Sequence, residues 1–136
     1  MLRKHVSVTE KVLGNLMRED IVAIATGHHE RGDGSGYPKK LRNHQMTQEQ
    51  RVLQVADAVT GMTNKRSYRE PLHKDKVIDI LKEEEARTRL NKQVVNTFLE
   101  FYDDIMQNVQ TQSAEIMKMY QTLNSQYSQV SKRFKM

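Results

Sequence analysis

The run His28-His29-Glu30-Arg31-Gly32-Asp33-Gly34-Ser35-Gly36-Tyr37-Pro38 concentrates more chemistry than any other stretch of the 136-residue chain. Two adjacent imidazoles and two carboxylates stand directly before a glycine-punctuated turn that carries Tyr-Pro. Imidazole and carboxylate together make a ligand set of intermediate hardness, suited to Fe, Mn or Zn. Gly34 and Gly36 admit backbone conformations that other residues resist, so the chain can fold tightly around a ligand. On a helix, neighbouring side chains point about 100° apart. Such a histidine pair can serve two ions of a close pair, or one ion and one substrate oxygen; the plain alternative is a surface pair. Asp57, in Val-Leu-Gln-Val-Ala-Asp-Ala-Val, sits at the edge of an apolar stripe. A carboxylate there needs a metal, an Arg or Lys, or hydrogen bonds to offset its desolvation. Further on, Arg66, Tyr68 and Arg69 put two guanidiniums beside a tyrosine, a set suited to phosphate and a stacked base, although loop arginines are often only solvated. His5, by itself, reads as an ordinary residue of a first amphipathic helix.

The elements that must position these residues are helices. Apolar residues recur at helical spacing and strand alternation is nearly absent, which predicts an all-α fold. Val8, Val12, Leu13 and Leu16 share one face, with Ser7 available as an N-cap. Asp20 can cap a second helix from Ile21 to about Gly27, ending where the histidine pair begins. Residues 31–46 form a long loop, and function is the usual reason for such length. Thr47 with Gln50 signals a capping box, opening a helix with the stripe Val52, Val55, Ala56, Val59 and Met62. After a break ending in Pro71 another helix runs to about Arg87, and Asn91 caps the last one. From Val95 to Phe134 that last helix keeps a seam spaced alternately by four and three residues, with Ser113 its one weak position. Sustained heptads predict a coiled coil or a long helix with a continuous seam. A continuous helix of about 43 residues would span roughly 65 Å, too long for a small domain to cover. The composition turns rich in Gln, Ser and Asn near Gln107, so the chain divides into residues 1–106 and an extended helix over 107–136.

Composition narrows the function. With 37% hydrophobic and 29% charged residues, part of the chain is expected to stand outside a compact core. The absence of Cys rules out disulfides and thiolate metal sites and fits a reducing cytosol. The longest apolar run, Ile21 to Ala25, is far too short for a membrane span, and the first ten residues lack a signal-peptide block. A cytoplasmic protein is expected. The net charge of +5 is mild and partly contributed by Lys118, Lys132, Arg133 and Lys135. No cluster of Lys/Arg with aromatics marks a nucleic-acid polymer as partner.

Taken together, His28-His29-Glu30-x-x-Asp33-Gly34-x-Gly36-Tyr37-Pro38, then Asp57 followed by Arg66-x-Tyr68-Arg69, resembles the HD-GYP branch of the HD phosphohydrolases. The resemblance covers about residues 1–106. It implies the C-terminal part of an HD-type helical bundle and a metal-dependent phosphodiesterase hydrolysing the bacterial second messenger cyclic di-GMP. By it, His5, His28, His29 and Asp57 match metal ligands for Fe or Mn ahead of Zn. Gly34, Gly36 and Tyr37 match the signature loop near the substrate, and Arg66 and Arg69 match phosphate-facing positions. Two departures matter. No His here is followed by Asp, and Thr60 stands where the family usually has a second Asp. In the family the His-Asp dyad belongs to helices preceding the one that carries His5. The ligands present are therefore expected to hold one metal or none, and a module that binds a nucleotide or signalling-protein partner without catalysis is the alternative to the enzyme. A dimerising unit built on the heptad helix is the other. Without the preceding helices, the apolar faces near Val8–Leu16 and Val52–Val59 are expected to be uncovered.

Overall fold

The computed structural model describes residues 4–134. Met1–Arg3 and Lys135–Met136, with which the two sequence-assigned segments begin and end, lie outside the described residues. Six α-helices follow one another: α1 (Lys4–Leu13), α2 (Glu19–Thr26), α3 (Gln48–Thr63), α4 (Lys74–Ala86), α5 (Lys92–Glu100) and α6 (Tyr102–Phe134), with a short 3-10 turn over Asn43–Gln45. The described residues contain no strand beyond two isolated bridges, Asp33 with Arg42 and Arg66 with Arg69. The fold is all-α, as the periodicity predicts.

The chain divides into two compact units, residues 1–99 and 100–136, a boundary somewhat earlier than the change of composition near Gln107. In the first unit α1 packs on α2, α2 on α3 and α3 on α4. Its core is formed by Val6, Met46, Val55, Val59, Met62, Val77, Leu81, Leu90, Val94 and Val95. Thr47 caps α3 as expected: its hydroxyl accepts from Gln50 N at 3.3 Å while Gln50 Oε1 accepts from Thr47 N at 3.0 Å. Asn91 Oδ1 likewise accepts from Val94 N at the start of α5.

Two other expected caps are corrected. Helix α1 already runs at Lys4, and Ser7 Oγ donates back to Lys4 O inside it, a local bond that competes with capping. Helix α2 starts at Glu19, so Asp20 lies within its first turn, paired with Arg18 at 2.5 Å. The seam helix is also not continuous. Phe101 interrupts it between α5 and α6, and Asp103 and Asp104 occupy the first turn of the new helix, where the exposed amide dipoles favour carboxylates. The apolar face of α1 is open as expected, with Val8 and Val12 more than half exposed and Leu16 78% exposed. The expected opening of the Val52–Val59 face is corrected: Val52 is 48% exposed, but Val55 and Val59 are buried in the core.

The second unit is α6 itself, 33 residues long, which spans about 50 Å. Tyr102 is its one buried residue among those described.

Candidate metal and phosphate site

Helix α2 ends at Gly27, whose N–H closes on Ile24 O at 3.2 Å. The chain turns there and throws out His28 and His29 in succession. His28 is oriented by the end of its own helix: Nδ1 lies 2.7 Å from Ala25 O. A carbonyl only accepts, so Nδ1 donates to it and Nε2 is left facing away from the helix end, the orientation usual for metal-binding histidines. His29 is flanked by Tyr37, whose ring stacks at 5.0 Å and 25° and whose backbone N–H donates to His29 O at 3.1 Å.

His5, from α1, closes the group. Its ring lies 5.6 Å from that of His28 and 5.0 Å from that of His29. The Nε2 atoms of His5 and His29 are 3.0 Å apart, and one ligand nitrogen from each of the three histidines lies within 4.8 Å of the others. Two facing Nε2 atoms either share one proton or face a cation. Burial, reinforced by charge on His28, holds the His29 imidazole below its ordinary value, while Asp57 opposes the shift. A neutral imidazole is the form that binds a metal. The donor set fits a divalent ion.

Asp57 on α3 does not join the three imidazoles at that spacing, although its charge acts on His29. Gly61 follows Asp57 by four residues and so shares its face of α3. Arg69 Nη2 donates to Gly61 O at 2.6 Å, and Arg66 Nη2 lies 3.2 Å from where a Cβ on Gly61 would stand. The two arginines also pair backbone to backbone, Arg66 N to Arg69 O at 3.0 Å and Arg69 N to Arg66 O at 3.2 Å. Both exposed guanidiniums therefore stand over α3 one turn beyond Asp57. Thr60, on the same helix, is exposed.

The two carboxylates of the signature run serve the loop itself. Glu30 is 1% exposed, and its oxygens accept the backbone N–H groups of Lys39 at 2.5 Å and Leu41 at 2.8 Å. Asp33 accepts from Ser35 N at 2.9 Å and pairs with Arg89 at 3.4 Å. The hydrogen bonds from Ser35, with a smaller contribution from Arg89, hold the Asp33 carboxyl below the usual range. The sequence reading grouped both acids with the imidazoles as ligand types; the geometry gives them to the loop. Gly34 has φ of +82°, and a Cβ on Gly36 would lie 2.5 Å from Glu30 Cα. Gly36 thus lets the loop pack on the backbone of Glu30 and Arg31. Arg89, which also meets Glu84 and whose carbonyl accepts Gly32 N at 2.8 Å, is a loop anchor that sequence reasoning missed.

A family model described as HD domain matches residues 1–94. The chain belongs to the HD domain family, and the run from His28 to Pro38 places it with the HD-GYP branch. Among curated relatives, 3′3′-cGAMP-specific phosphodiesterase 2 of Vibrio cholerae is 28% identical over 109 residues, 78% of this chain and 21% of the relative. The 3′3′-cGAMP-specific phosphodiesterase 1 of the same organism is 30% identical over 99 residues, 72% of this chain and 23% of the relative. A cyclic di-GMP phosphodiesterase of Thermotoga maritima is 42% identical over 48 residues, 35% of this chain and 13% of the relative. The chain spans about a fifth of the length of the first two. No described helix is long and apolar enough to cross a membrane.

Proposed function

We propose that this chain is the part of a cytoplasmic HD-GYP phosphodiesterase module that holds one divalent ion and the phosphates of a cyclic dinucleotide, cyclic di-GMP or 3′3′-cGAMP. The observation that carries the reading is the convergence of His5, His28 and His29 with one ligand nitrogen each. Three imidazole nitrogens suit Zn, and Fe or Mn would call on Asp57, whose charge acts on His29 but whose carboxylate stands outside the imidazole group. When bound, such an ion supplies positive charge to a phosphate oxygen and acidifies water beside it.

The chain's own residues do the rest. Arg66 and Arg69 present planar donors matched to phosphate oxygens. Tyr37 holds the His29 ring by stacking and backs it with a hydrogen bond to its carbonyl. The Glu30 carboxylate fixes the loop that carries Tyr37. Binding without turnover is the reading favoured for these 136 residues, because no carboxylate joins the three imidazoles at ligand spacing among the described residues. Hydrolysis is the second reading, favoured by the relatives' names, and a signalling-protein partner on the open α1 face is compatible with either.

Elemental analysis of the purified chain should give close to one Fe, Mn or Zn per chain. Titration calorimetry should show cyclic dinucleotide binding that Arg66→Ala weakens about 10- to 100-fold, the loss of a charge-assisted hydrogen bond. Steady release of linear dinucleotide would replace binding by hydrolysis. No retained metal together with no nucleotide binding would overturn both.

A further inference from the structure

Helix α6 carries a seam with nothing of its own unit to cover it. Ile116, Tyr120, Leu123, Tyr127, Val130 and Phe134 are 51–84% exposed. Residues on its two flanks, at 105, 110, 112, 117, 119, 124, 126 and 131, are Ile, Gln, Gln, Met, Met, Asn, Gln and Ser. None is charged; the flanks carry charge only at the two ends of the helix, at Asp103 and Arg133, so a second identical helix meets no like charge along residues 105–131. Met117 and Met119 even widen the apolar face. Aromatic side chains bury about 150–250 Å² each, so the seam offers on the order of 700 Å² per chain, close to what a stable complex needs.

We propose that the occupant of this seam is a second copy of the chain, with the two α6 helices antiparallel. Size and charge both select that direction. In parallel pairing each seam residue meets itself, stacking Tyr120 on Tyr120 and Tyr127 on Tyr127 while Ser113 faces Ser113 across a gap. Parallel pairing also gathers both acidic first turns, where Asp103 flanks the seam, at one end and both basic last turns, where Arg133 flanks it, at the other.

An antiparallel pair centred near Lys118 removes both conflicts. Tyr127 then meets the partner's Val109, Tyr120 the partner's Ile116, and Ser113 the partner's Leu123. Large and small alternate along the seam, the arrangement that fills a core. The acidic first turn, with Asp103 and Asp104, lies beside the basic last turn of the other copy, with Lys132 and Arg133. Opposite helix dipoles are brought together at the same ends. The inference rests on α6 alone and is independent of the metal site.

The absence of Cys gives a clean test. Sedimentation of the full chain should return about twice 15.9 kDa. A mixture of Val109→Cys chains with Tyr127→Cys chains should form the mixed disulfide under mild oxidation. Val109→Cys alone and Tyr127→Cys alone should remain uncrosslinked. Leu123→Asp, a surface change on the isolated helix, should return the mass to that of one chain while metal content stays the same. A monomer from the outset overturns the proposal. So does efficient crosslinking of either single variant to itself, since that requires parallel helices.

Discussion

Replacing Glu30 by Gln changes one atom and tests how the signature loop is held. The Glu30 side chain is 1% exposed, and its two oxygens accept from Lys39 N at 2.5 Å and Leu41 N at 2.8 Å. Hydrogen bonds to a charged group contribute about 1.5–3 kcal/mol each, against about 1 kcal/mol for neutral ones. Glutamine keeps the volume and one oxygen but turns an NH2 toward the second amide. One bond becomes neutral, the other becomes a clash of donors, and the loss is about 2–4 kcal/mol. For a domain of roughly 100 residues this lowers Tm by about 10–20 °C. Thermal unfolding followed by circular dichroism measures the global effect. Amide hydrogen exchange reads the local one, and the Lys39 and Leu41 amides should exchange much faster in Glu30→Gln. Because Gly36 packs on the Glu30 backbone and Tyr37 N bonds His29 O, metal affinity should fall as well. Unchanged protection at Lys39 and Leu41 with Tm within a degree or two of the parent would refute the loop's dependence on this carboxylate.

Gly36→Ala should cost more than Gly34→Ala in urea unfolding. The first puts a Cβ 2.5 Å from Glu30 Cα and forces backbone movement, about 1–3 kcal/mol; the second finds ordinary space and meets only the left-handed φ of +82°, about 1–2 kcal/mol. In chelator-stripped protein, stability should decline as pH falls through the ordinary histidine value near 6.5, because the folded His29 resists a proton that the unfolded chain accepts. His29→Gln should flatten that decline between pH 7 and pH 5, read from urea midpoints. Asp33 acts at lower pH: its folded-state value lies below the ordinary 3.8, so its contribution is present above that pH and is lost as pH falls through the lowered value. Asp33→Asn should reduce stability near pH 6 and leave it less sensitive to acid. Val6, 1% exposed, is the one buried residue of α1. Val6→Ala should weaken metal binding severalfold by loosening the helix that brings His5, and calorimetric metal affinity equal to the parent's would remove His5 from the ligand set.

Where an interaction closes within three or four residues, the sequence could be read directly. Thr47 with Gln50 and Asn91 with Val94 are such cases, and both caps form. Ser7 and Asp20 have the same cap chemistry, yet helical geometry extends past them on the N-terminal side, and each bonds locally instead. The histidine pair was legible by type and spacing, and His5 through the family resemblance. The roles of Glu30 and Asp33 were not, because their partners lie across a loop or in another element. Leu41 is eleven residues from Glu30, and Arg89 reaches Asp33 from beyond α4. Hydrophobic spacing carries no record of such closures. The break at Phe101 escaped for a different reason: the heptad continues through it, since a seam of side chains does not require unbroken backbone hydrogen bonds.

The three imidazoles are anchored unequally, and this bears on how the site is filled. His28 is fixed by the Ala25 carbonyl and His29 by Tyr37, both tied to the end of α2 and the rigid loop that Glu30 closes. His5 rides on a helix with a single buried residue and an open apolar face. Its Nε2 nevertheless stands 3.0 Å from that of His29. Two ligands are thus preorganised and the third is held by its contact with them, so the ordering of α1 and the binding of an ion become one equilibrium. A ligand that binds only the folded arrangement stabilises it by about 2.7 kcal/mol at a hundred times its dissociation constant. That stabilisation should fall mainly on α1. Anything that covers Val8, Val12 and Leu16 would order the same helix, and would raise metal affinity by the same free energy with which the metal strengthens that contact.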